Sequence, residues 1–280
     1  MSPPISISRV SFGGNTVKVI SEHPKFANAI QTHFRHCGSQ QTNIIATFHI
    51  TAISENHFTA WVDDDTFFSK LDYEQALLVV TNEIITRLNA ECKRGLVFHA
   101  AAVSDAEDAV ILCGRSGSGK SSLAAWLTAD GFHYLTDEII EMPLDGNQID
   151  GLTRSIVLKP DSAFIWQDHL PETKSNGFLL FTDGSAWIDP QLLRPDAVYS
   201  TATPCALVFP HYEPDVSLQT KKLTSAEALF RLMQTLVNAR NLPGHGMDAA
   251  ARLARQVKAF DLTYSDIEAA AVWIRQTIDK

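Results

Sequence analysis

The stretch AVILCGRSGSGKSSLAAWL, residues 109–127, carries the clearest structural signal in this chain. An apolar run leads into a glycine-rich turn, which is followed by a lysine, two serines and an amphipathic segment. Within it, Gly114–Ser121 fits the pattern G-x-x-x-x-G-K-[ST] at every fixed position. At average composition, such a match arises by chance in roughly one per cent of chains of this length. The pattern predicts a P-loop (Walker A motif), a turn between a strand and a helix that binds the phosphates of a nucleotide.

The residue types in this turn suit a chain of phosphates. Glycines let successive backbone N–H groups point into the turn, because no Cβ stands in the way. A helix that begins near Lys120 adds its positive dipole end and its unpaired N–H groups. The ammonium of Lys120 is suited to bridge the β- and γ-phosphates, and the hydroxyl of Ser121 to ligate Mg²⁺. We therefore predict ATP and Mg²⁺ as cofactors, although the turn alone does not separate ATP from GTP.

An acidic pair, Asp137-Glu138, follows the predicted strand FHYLT and lies 17 positions beyond Lys120. If that strand is adjacent to the strand that precedes the turn, the acids reach the same edge of the sheet as the phosphates. There Asp137 is predicted to take the proton from an acceptor hydroxyl, while Glu138 or Asp137 helps to hold Mg²⁺. Motors and GTP switches carry their Mg²⁺-binding acid much further along the chain, so the spacing argues against those classes. Two acids in a surface loop are the alternative interpretation.

Three basic side chains are further candidates for the site. His99 lies in the middle of the apolar run LVFHAAAV, where a histidine is more often part of the core than catalytic. Arg154 precedes the apolar run SIVL, and Lys159 follows it. Each of these two could contact phosphate or be an ordinary surface base, and the sequence alone does not decide between the two roles.

Composition and charge limit the function classes. The chain has 280 residues, of which 45% are apolar and 20% charged, as in a globular protein with a sizeable core. Its formal net charge of −9 argues against sequence-independent binding of nucleic acid, which needs a basic face. No apolar run approaches the roughly 20 residues that span a bilayer, and MSPPISISRVSF lacks the features of a signal peptide. The four cysteines are scattered, so we expect reduced thiols, a cytoplasmic location and no membrane partner.

The first third of the chain predicts a small α+β N-terminal region, residues 1–94. Residues 43–69 alternate in polarity around the turns SENH and DDD, which indicates a β-hairpin or meander. Apolar residues recur at helical spacing over about residues 73–92. Asp72 is the predicted N-cap of this helix, and Gly95 is its predicted stop signal.

The remainder of the chain, residues 95–280, predicts an α/β domain built around the glycine-rich turn. The runs LVFHAAAV and AVILCG are predicted to be neighbouring strands. Residues 109–136 form a predicted βαβ unit, which implies a parallel, right-handed crossover. Residues 152–210 contain several short strand candidates. The helix signals of the C-terminal third are two capping-box patterns, Thr224/Glu227 and Ser265/Glu268, and an apolar stripe over residues 247–259.

These features, in this order and spacing, resemble the catalytic domain of HPr kinase/phosphorylase. The pieces that carry the resemblance are FHAAAV, GRSGSGKSS and GFHYLTDE. The similarity is greatest to the broader group of HPr-kinase-related kinases, some of which act on seryl groups of peptides or proteins. It covers about residues 95–275 of the chain. The resemblance implies an α/β fold with a P-loop HPr-kinase-like catalytic core, a small α+β N-terminal region and helical C-terminal elements.

Carried over residue by residue, the resemblance implies roles for individual side chains. Asp137 would deprotonate the acceptor serine, Glu138 would take the second acidic position of the family, and His99 would line the phosphate site. Lys159 lies in LKPDS, which also resembles the group, and completes the predicted catalytic set with Asp137 and His99. The predicted metal ligands are Ser121, Asp137 and Glu138. The residues predicted to hold the nucleotide phosphates are Gly114, Arg115, Ser116, Gly117, Ser118, Gly119, Lys120, Ser121 and Ser122.

The chain also departs from the family pattern. The glycine-rich signature that follows the catalytic acids in HPr kinase/phosphorylases has no counterpart here, so neither phosphorylase activity nor HPr as acceptor is implied. We therefore predict an ATP- and Mg²⁺-dependent kinase that phosphorylates a hydroxyl, with a serine of a protein or peptide as the first choice of acceptor. A kinase for a small hydroxylated metabolite and a non-catalytic nucleotide-sensing module are the alternatives. The resemblance is also compatible with a homo-oligomeric ring.

Overall fold

The structure is a computed structural model and describes residues 5–38, 43–169 and 176–278. The chain forms two compact units, Met1–Cys92 and Lys93–Lys280. Each unit combines sheet and helix, so the chain is a mixed α/β protein. None of the helices within the described ranges is both long enough and apolar enough to cross a bilayer.

The described residues of the first unit form a five-stranded sheet and two helices. Its elements are β1 (Ser6–Phe12), β2 (Asn15–Ser21), α1 (Pro24–His33), β3 (Ile44–Ser54), β4 (His57–Val62), β5 (Asp65–Asp72) and α2 (Tyr73–Ala90). The strands lie in the order β1-β2-β3-β4-β5, with β2 and β3 parallel and the other neighbours antiparallel. The antiparallel run β3-β4-β5 confirms the predicted meander. Phe26, Phe48 and Phe58 are fully buried in the core of this unit.

The start of α2 was predicted correctly, but its end was not. The Asp72 carboxylate accepts a hydrogen bond from the backbone N–H of Gln75 at 2.9 Å and caps the helix. The helix ends at Ala90, whereas Gly95 begins the next strand. A Cβ at Gly95 would lie 2.6 Å from the carbonyl oxygen of Met142. Glycine is needed there because another strand approaches closely, and not because a helix stops.

The second unit contains an eight-stranded sheet, a three-stranded sheet and six helices in the described residues. Its strands are β6 (Gly95–Asp105), β7 (Asp108–Cys113), β8 (His133–Thr136), β9 (Ile139–Pro143), β10 (Ile149–Gly151), β11 (Ile156–Leu158), β12 (Phe178–Leu180), β13 (Ala186–Ile188), β14 (Thr201–Tyr212), β15 (Gln219–Lys222) and β16 (Lys258–Tyr264). Its helices are α3 (Lys120–Ala129), α4 (Ala163–His169), α5 (Pro190–Leu193), α6 (Ser225–Met233), α7 (Met247–Gln256) and α8 (Ile267–Ile278).

The large sheet has the order β10-β9-β6-β7-β14-β16-β15, and β8 pairs with β6. Strands β7, β14 and β16 are parallel, while β6 is antiparallel to β7. Helices α3 and α8 contribute to the core on one face, and α6 and α7 contribute to the core on the other. Because consecutive strand residues point to opposite faces, burial on both sides explains why β6 and β7 are apolar at almost every position.

The predicted βαβ unit is present, but its two strands are not adjacent. Strand β6 lies between them and pairs antiparallel with both β7 and β8, so β7 and β8 run in the same direction. Strands β8 and β9 follow one another along the same side of β6, with Asp137-Glu138 in the break between them. The acidic pair therefore lies one strand further from the glycine-rich turn than an adjacent strand would place it.

The two predicted capping boxes have different outcomes. Thr224 and Glu227 form a complete box at the start of α6. At the start of α8 the capping side chain is Asp266, whose carboxylate accepts a hydrogen bond from the N–H of Glu268 at 2.9 Å. The hydroxyl of Ser265 donates instead to a backbone carbonyl in another segment, at 2.7 Å. The capping-box prediction at Ser265 was therefore wrong by one residue.

Helix α7 is shorter than the apolar stripe predicted. The stripe extended to residue 259, but the helix ends at Gln256. Residues Lys258–Tyr264 form β16, which pairs in parallel with the second half of β14. Pairing with a distant strand overrides the local helical pattern at this point, because the backbone of residues 258–264 has its hydrogen-bond partners in the sheet.

Candidate active site

The glycine-rich turn (Gly114–Ser121) connects the end of β7 to the start of α3. Gly117 and Gly119 have φ angles of +84° and +95°, which residues with a Cβ rarely adopt. A Cβ on Gly119 would also overlap the hydroxyl oxygen of Tyr264. No side chain caps the start of α3, so its first N–H groups remain directed at the turn.

Lys120 folds back over this turn. Its Nζ donates hydrogen bonds to the carbonyl oxygens of Gly114 at 2.7 Å and Arg115 at 3.2 Å. The residue is only 6% exposed. Burial lowers the pKa of Lys120, and the negative charge of Glu138 is the largest influence that opposes this shift. The ammonium group therefore lies in the turn and interacts with a carboxylate from the break between β8 and β9.

The serines of the turn have different surroundings. The Oγ atom of Ser118 is buried and has no hydrogen-bond partner among the described residues. Ser121, in the first turn of α3, is partly exposed. The hydroxyl of Ser122 forms a 2.6 Å hydrogen bond with the hydroxyl of Ser162, so it links α3 to the segment after β11. The exposed residues of the turn are Arg115, Ser116 and Gly117.

Asp137 is enclosed by protein groups. The residue is 2% exposed. Its Oδ1 accepts a hydrogen bond from the Tyr134 hydroxyl at 2.8 Å, and its Oδ2 accepts one from the backbone N–H of Val157 at 3.2 Å. A guanidinium nitrogen of Arg154 lies 3.3 Å from Oδ1. Both carboxylate oxygens are therefore engaged inside the protein. The expected access of an acceptor hydroxyl to Asp137 is not present, because the side chain is enclosed.

Two buried residues hold this carboxylate in place. Burial and the charge of Asp137 raise the pKa of Tyr134, so its hydroxyl keeps the proton that it donates. Burial by itself would lower the pKa of Arg154, but the carboxylates of Asp137 and Glu138 raise it. Sequence reasoning named Arg154 as a candidate and missed Tyr134. The available signal was a tyrosine in a buried strand, since a buried tyrosine hydroxyl needs a partner.

Glu138, the next residue, has a different environment. Its side chain is 29% exposed, and its Oε1 lies 3.2 Å from Nδ1 of His99. Its Oε2 accepts a 2.7 Å hydrogen bond from Arg154. Burial alone would raise the pKa of Glu138, but the charge of Arg154 and the hydrogen bond and charge of His99 lower it to about 2. The four residues His99, Asp137, Glu138 and Arg154 are called the polar cluster below.

The register of the sheet places the polar cluster near the glycine-rich turn. Ala100 on β6 is opposite Cys113 on β7, so His99 is level with Gly114. On its other side, His99 is opposite Ile139, which directly follows Glu138. Neighbouring strands lie about 5 Å apart. The side chain of His99 is 37% exposed, so this histidine is not part of the fully buried core.

Lys159 lies outside the polar cluster. It is exposed and precedes the short 3₁₀ turn Pro160–Ser162. Its positive charge contributes to lowering the pKa of Lys120. Lys159 therefore adds positive potential at the turn, while Arg154 is a buried member of the cluster.

The predicted metal ligands do not form a site by themselves. Within the described ranges, no group of three or more His, Cys, Asp or Glu side chains is arranged to hold a metal ion. Ser121 and Glu138 are partly exposed, whereas Asp137 is enclosed. Mg²⁺ is commonly held by one or two protein oxygens together with water and substrate phosphates. Ser121 and Glu138 fit that donor set.

Comparison with known proteins finds likenesses among solved structures but none among family models or curated sequences. No family model matches the chain, and no curated protein sequence matches it. Among solved structures, the chain is similar to the HPr(Ser) kinase/phosphatase from Coxiella burnetii, with 14% sequence identity and a TM-score of 0.34. The match covers 64% of this chain and 94% of that chain. The roles proposed below for individual residues do not rest on this likeness.

Proposed function

We propose that this protein is an ATP- and Mg²⁺-dependent kinase that transfers the γ-phosphate to a hydroxyl, with a serine of a protein or peptide as acceptor. One observation carries the proposal. A turn of P-loop sequence, with Lys120 folded over it, lies at the head of α3, and a partly exposed His99–Glu138 pair lies at the same edge of the sheet. Phosphoryl transfer needs little more than positioning and charge stabilisation around such a pair of features.

In this proposal the glycine-rich turn is a P-loop that holds the nucleotide phosphates. Lys120 would exchange its two loop carbonyl partners for phosphate oxygens, which are stronger acceptors for an ammonium group. Ser121 and Glu138 would hold Mg²⁺, which when bound neutralises charge on the transferred group. Lys159 would add positive potential from the exposed side of the turn.

The environments of the acids favour His99 as the group that receives the acceptor proton. Asp137 has both oxygens engaged and is 2% exposed. Glu138, with its pKa lowered to about 2, is a poor base at neutral pH. His99 is partly exposed and is oriented by Glu138, which is the arrangement of a base held by a carboxylate. We propose that Asp137 positions Arg154, and that Arg154 in turn positions Glu138.

The proposal is tested by incubating the purified chain with γ-labelled ATP, Mg²⁺ and an extract of its source cells. The expected result is label on a serine of one protein or peptide, lost when Lys120 is replaced by alanine. Label on a small hydroxylated compound instead would support the kinase reaction but would show that the acceptor is a metabolite and not a protein or peptide. Tight binding of ATP with no transfer to any fraction would contradict the kinase and favour a nucleotide-sensing module.

A further inference from the structure

An exposed aromatic ring lies beside the glycine-rich turn and has no role in the proposal above. Strand β14 continues past the end of β7 and runs along the turn, where the backbone N–H of Tyr212 donates a 3.3 Å hydrogen bond to the carbonyl of Ser118. The Cβ of Tyr212 would be 3.5 Å from a Cβ on Gly119. Tyr212 is nevertheless 49% exposed. The backbone of Tyr212 is thus bonded to the turn, while about half of the residue is exposed to solvent.

The ring of Tyr212 has a rigid support. It packs against the ring of Tyr264 in an edge-on contact, with centroids 5.9 Å apart and planes at 71°. Tyr264 is 1% exposed, and its carbonyl accepts a 3.0 Å hydrogen bond from the N–H of Glu213. Tyr264, which supports the ring, is buried in the sheet, and Glu213, which follows Tyr212, is bonded to it. The Tyr212 ring is therefore pre-positioned for a partner that stacks on it.

The topology gives this ring a position relative to the polar cluster. From β7, the polar cluster lies on the β6 side of the sheet, whereas Tyr212 lies on the β14 side. If the terminal phosphate of a nucleotide in the turn faces His99, the other end of the nucleotide leaves the turn towards β14. The chemical group at that end is a purine base, which stacks on aromatic rings.

We propose that the Tyr212 ring is the stacking platform for the nucleobase of the nucleotide bound in the turn. This inference rests on the proposed function, because it requires that the turn holds a nucleotide. Stacking uses the face of the base and not its hydrogen-bonding edge, so this platform accepts adenine and guanine alike.

Calorimetric titration with two probes, MgATP and magnesium tripolyphosphate, tests the platform. The second probe has the phosphates without the base. Replacing Tyr212 by alanine is expected to weaken MgATP binding by about 5- to 150-fold, the range measured for loss of one base-stacking aromatic. Tripolyphosphate binding should stay within about twofold of wild type, and Tyr212→Phe should keep MgATP binding.

Two controls separate this inference from the proposed function. Tyr199→Ala removes another exposed tyrosine, 43% exposed and stacked on His133, and should leave both affinities unchanged. Lys120→Ala should weaken both probes. Equal MgATP binding by Tyr212→Ala and wild type would overturn the platform, and so would an equal loss for both probes, which would mean that the ring only shapes the turn. Failure of the wild-type chain to bind either probe would overturn the proposed function itself.

Discussion

The glycine-rich turn and the polar cluster lie close together in the second unit, yet they depend on the sequence in different ways. The turn is built from eight consecutive residues, and its lysine bonds to carbonyls within those residues. In the polar cluster, two adjacent carboxylates have different environments. Asp137 is 2% exposed and is bonded to Tyr134 and to the backbone of Val157, whereas the side chain of Glu138 is 29% exposed and lies beside His99. The comparison shows that a contiguous motif defines its own geometry, whereas the role of an acid depends on partners from distant segments.

The largest effect should come from the turn. Replacing Lys120 by alanine removes the buried ammonium group that is folded over the turn, so phosphate transfer should fall at least about 100-fold. Lys159→Ala is the matched control, since Lys159 is exposed and acts only through its distant charge; its effect should stay below about tenfold. Transfer rates at saturating and at low ATP measure both variants. Unchanged transfer in Lys120→Ala would remove the turn from the mechanism.

The next effect tests which member of the polar cluster receives the proton. His99→Gln should lower the turnover number by about 100-fold, with little change in MgATP affinity. Asp137→Asn, assayed beside it, should keep more of the turnover, because both oxygens of that carboxylate are engaged inside the protein. A larger loss of turnover in Asp137→Asn than in His99→Gln would return the role of base to Asp137.

A smaller effect compares two glycines inside the turn. Both have positive φ, but a Cβ on Gly119 overlaps Tyr264, while a Cβ on Gly117 has nothing within 4 Å. Gly117→Ala therefore bears backbone strain alone, and Gly119→Ala bears strain and a collision. We expect Gly119→Ala to weaken MgATP binding by about tenfold more than Gly117→Ala does. Equal losses of MgATP affinity in the two variants would mean that contact with Tyr264 does not determine the shape of the turn.

The buried half of the cluster should affect stability more than chemistry. Asp137→Asn should lower the free energy of unfolding by about 1–3 kcal/mol, because the buried Arg154 loses part of its compensation. Urea unfolding of Asp137→Ala, Tyr134→Phe and the double variant forms a cycle, because alanine, unlike asparagine, has no oxygen to accept the hydrogen bond of the Tyr134 hydroxyl. A coupling of about 0.5 kcal/mol or more is expected from the direct hydrogen bond between them. Additive effects would show that this bond does not hold the carboxylate.

The smallest effect is a pH dependence that belongs to Glu138. Its pKa is lowered in the folded chain from 4.5 to about 2, so its contribution to stability is present above about pH 5 and is lost as the pH falls towards 2. Glu138→Gln lacks this contribution at every pH. The difference in unfolding free energy between wild type and Glu138→Gln should therefore shrink steadily as the pH is lowered through that range. A constant difference would show that Arg154 and His99 do not stabilise the charged form.

Several features were predictable because their determinants are local. The strand–turn–helix around residues 109–127, the meander of the first unit and the Asp72 and Thr224 caps depend on residues within a few positions of each other. The predictions that were wrong involve pairing over long distances. Gly95 was predicted to end a helix, but it lies where a Cβ would collide with the carbonyl oxygen of Met142. Residues 258–259 were predicted to continue a helix, but they pair with β14 in the sheet.

The sequence by itself determined the strand–turn–helix around the glycine-rich turn and the mixed α/β character of the chain, because eight contiguous residues and regular apolar spacing carry that information. It also indicated Asp137 and Glu138 as a pair of candidate site residues. Only the tertiary structure decided their difference: Tyr134 and Val157 enclose one carboxylate, while the other lies beside His99. The physical reason is that the protonation of a carboxylate depends on its burial and on charges within a few ångströms, and several of those neighbours, such as His99, Arg154 and Val157, are distant from the acids in the sequence.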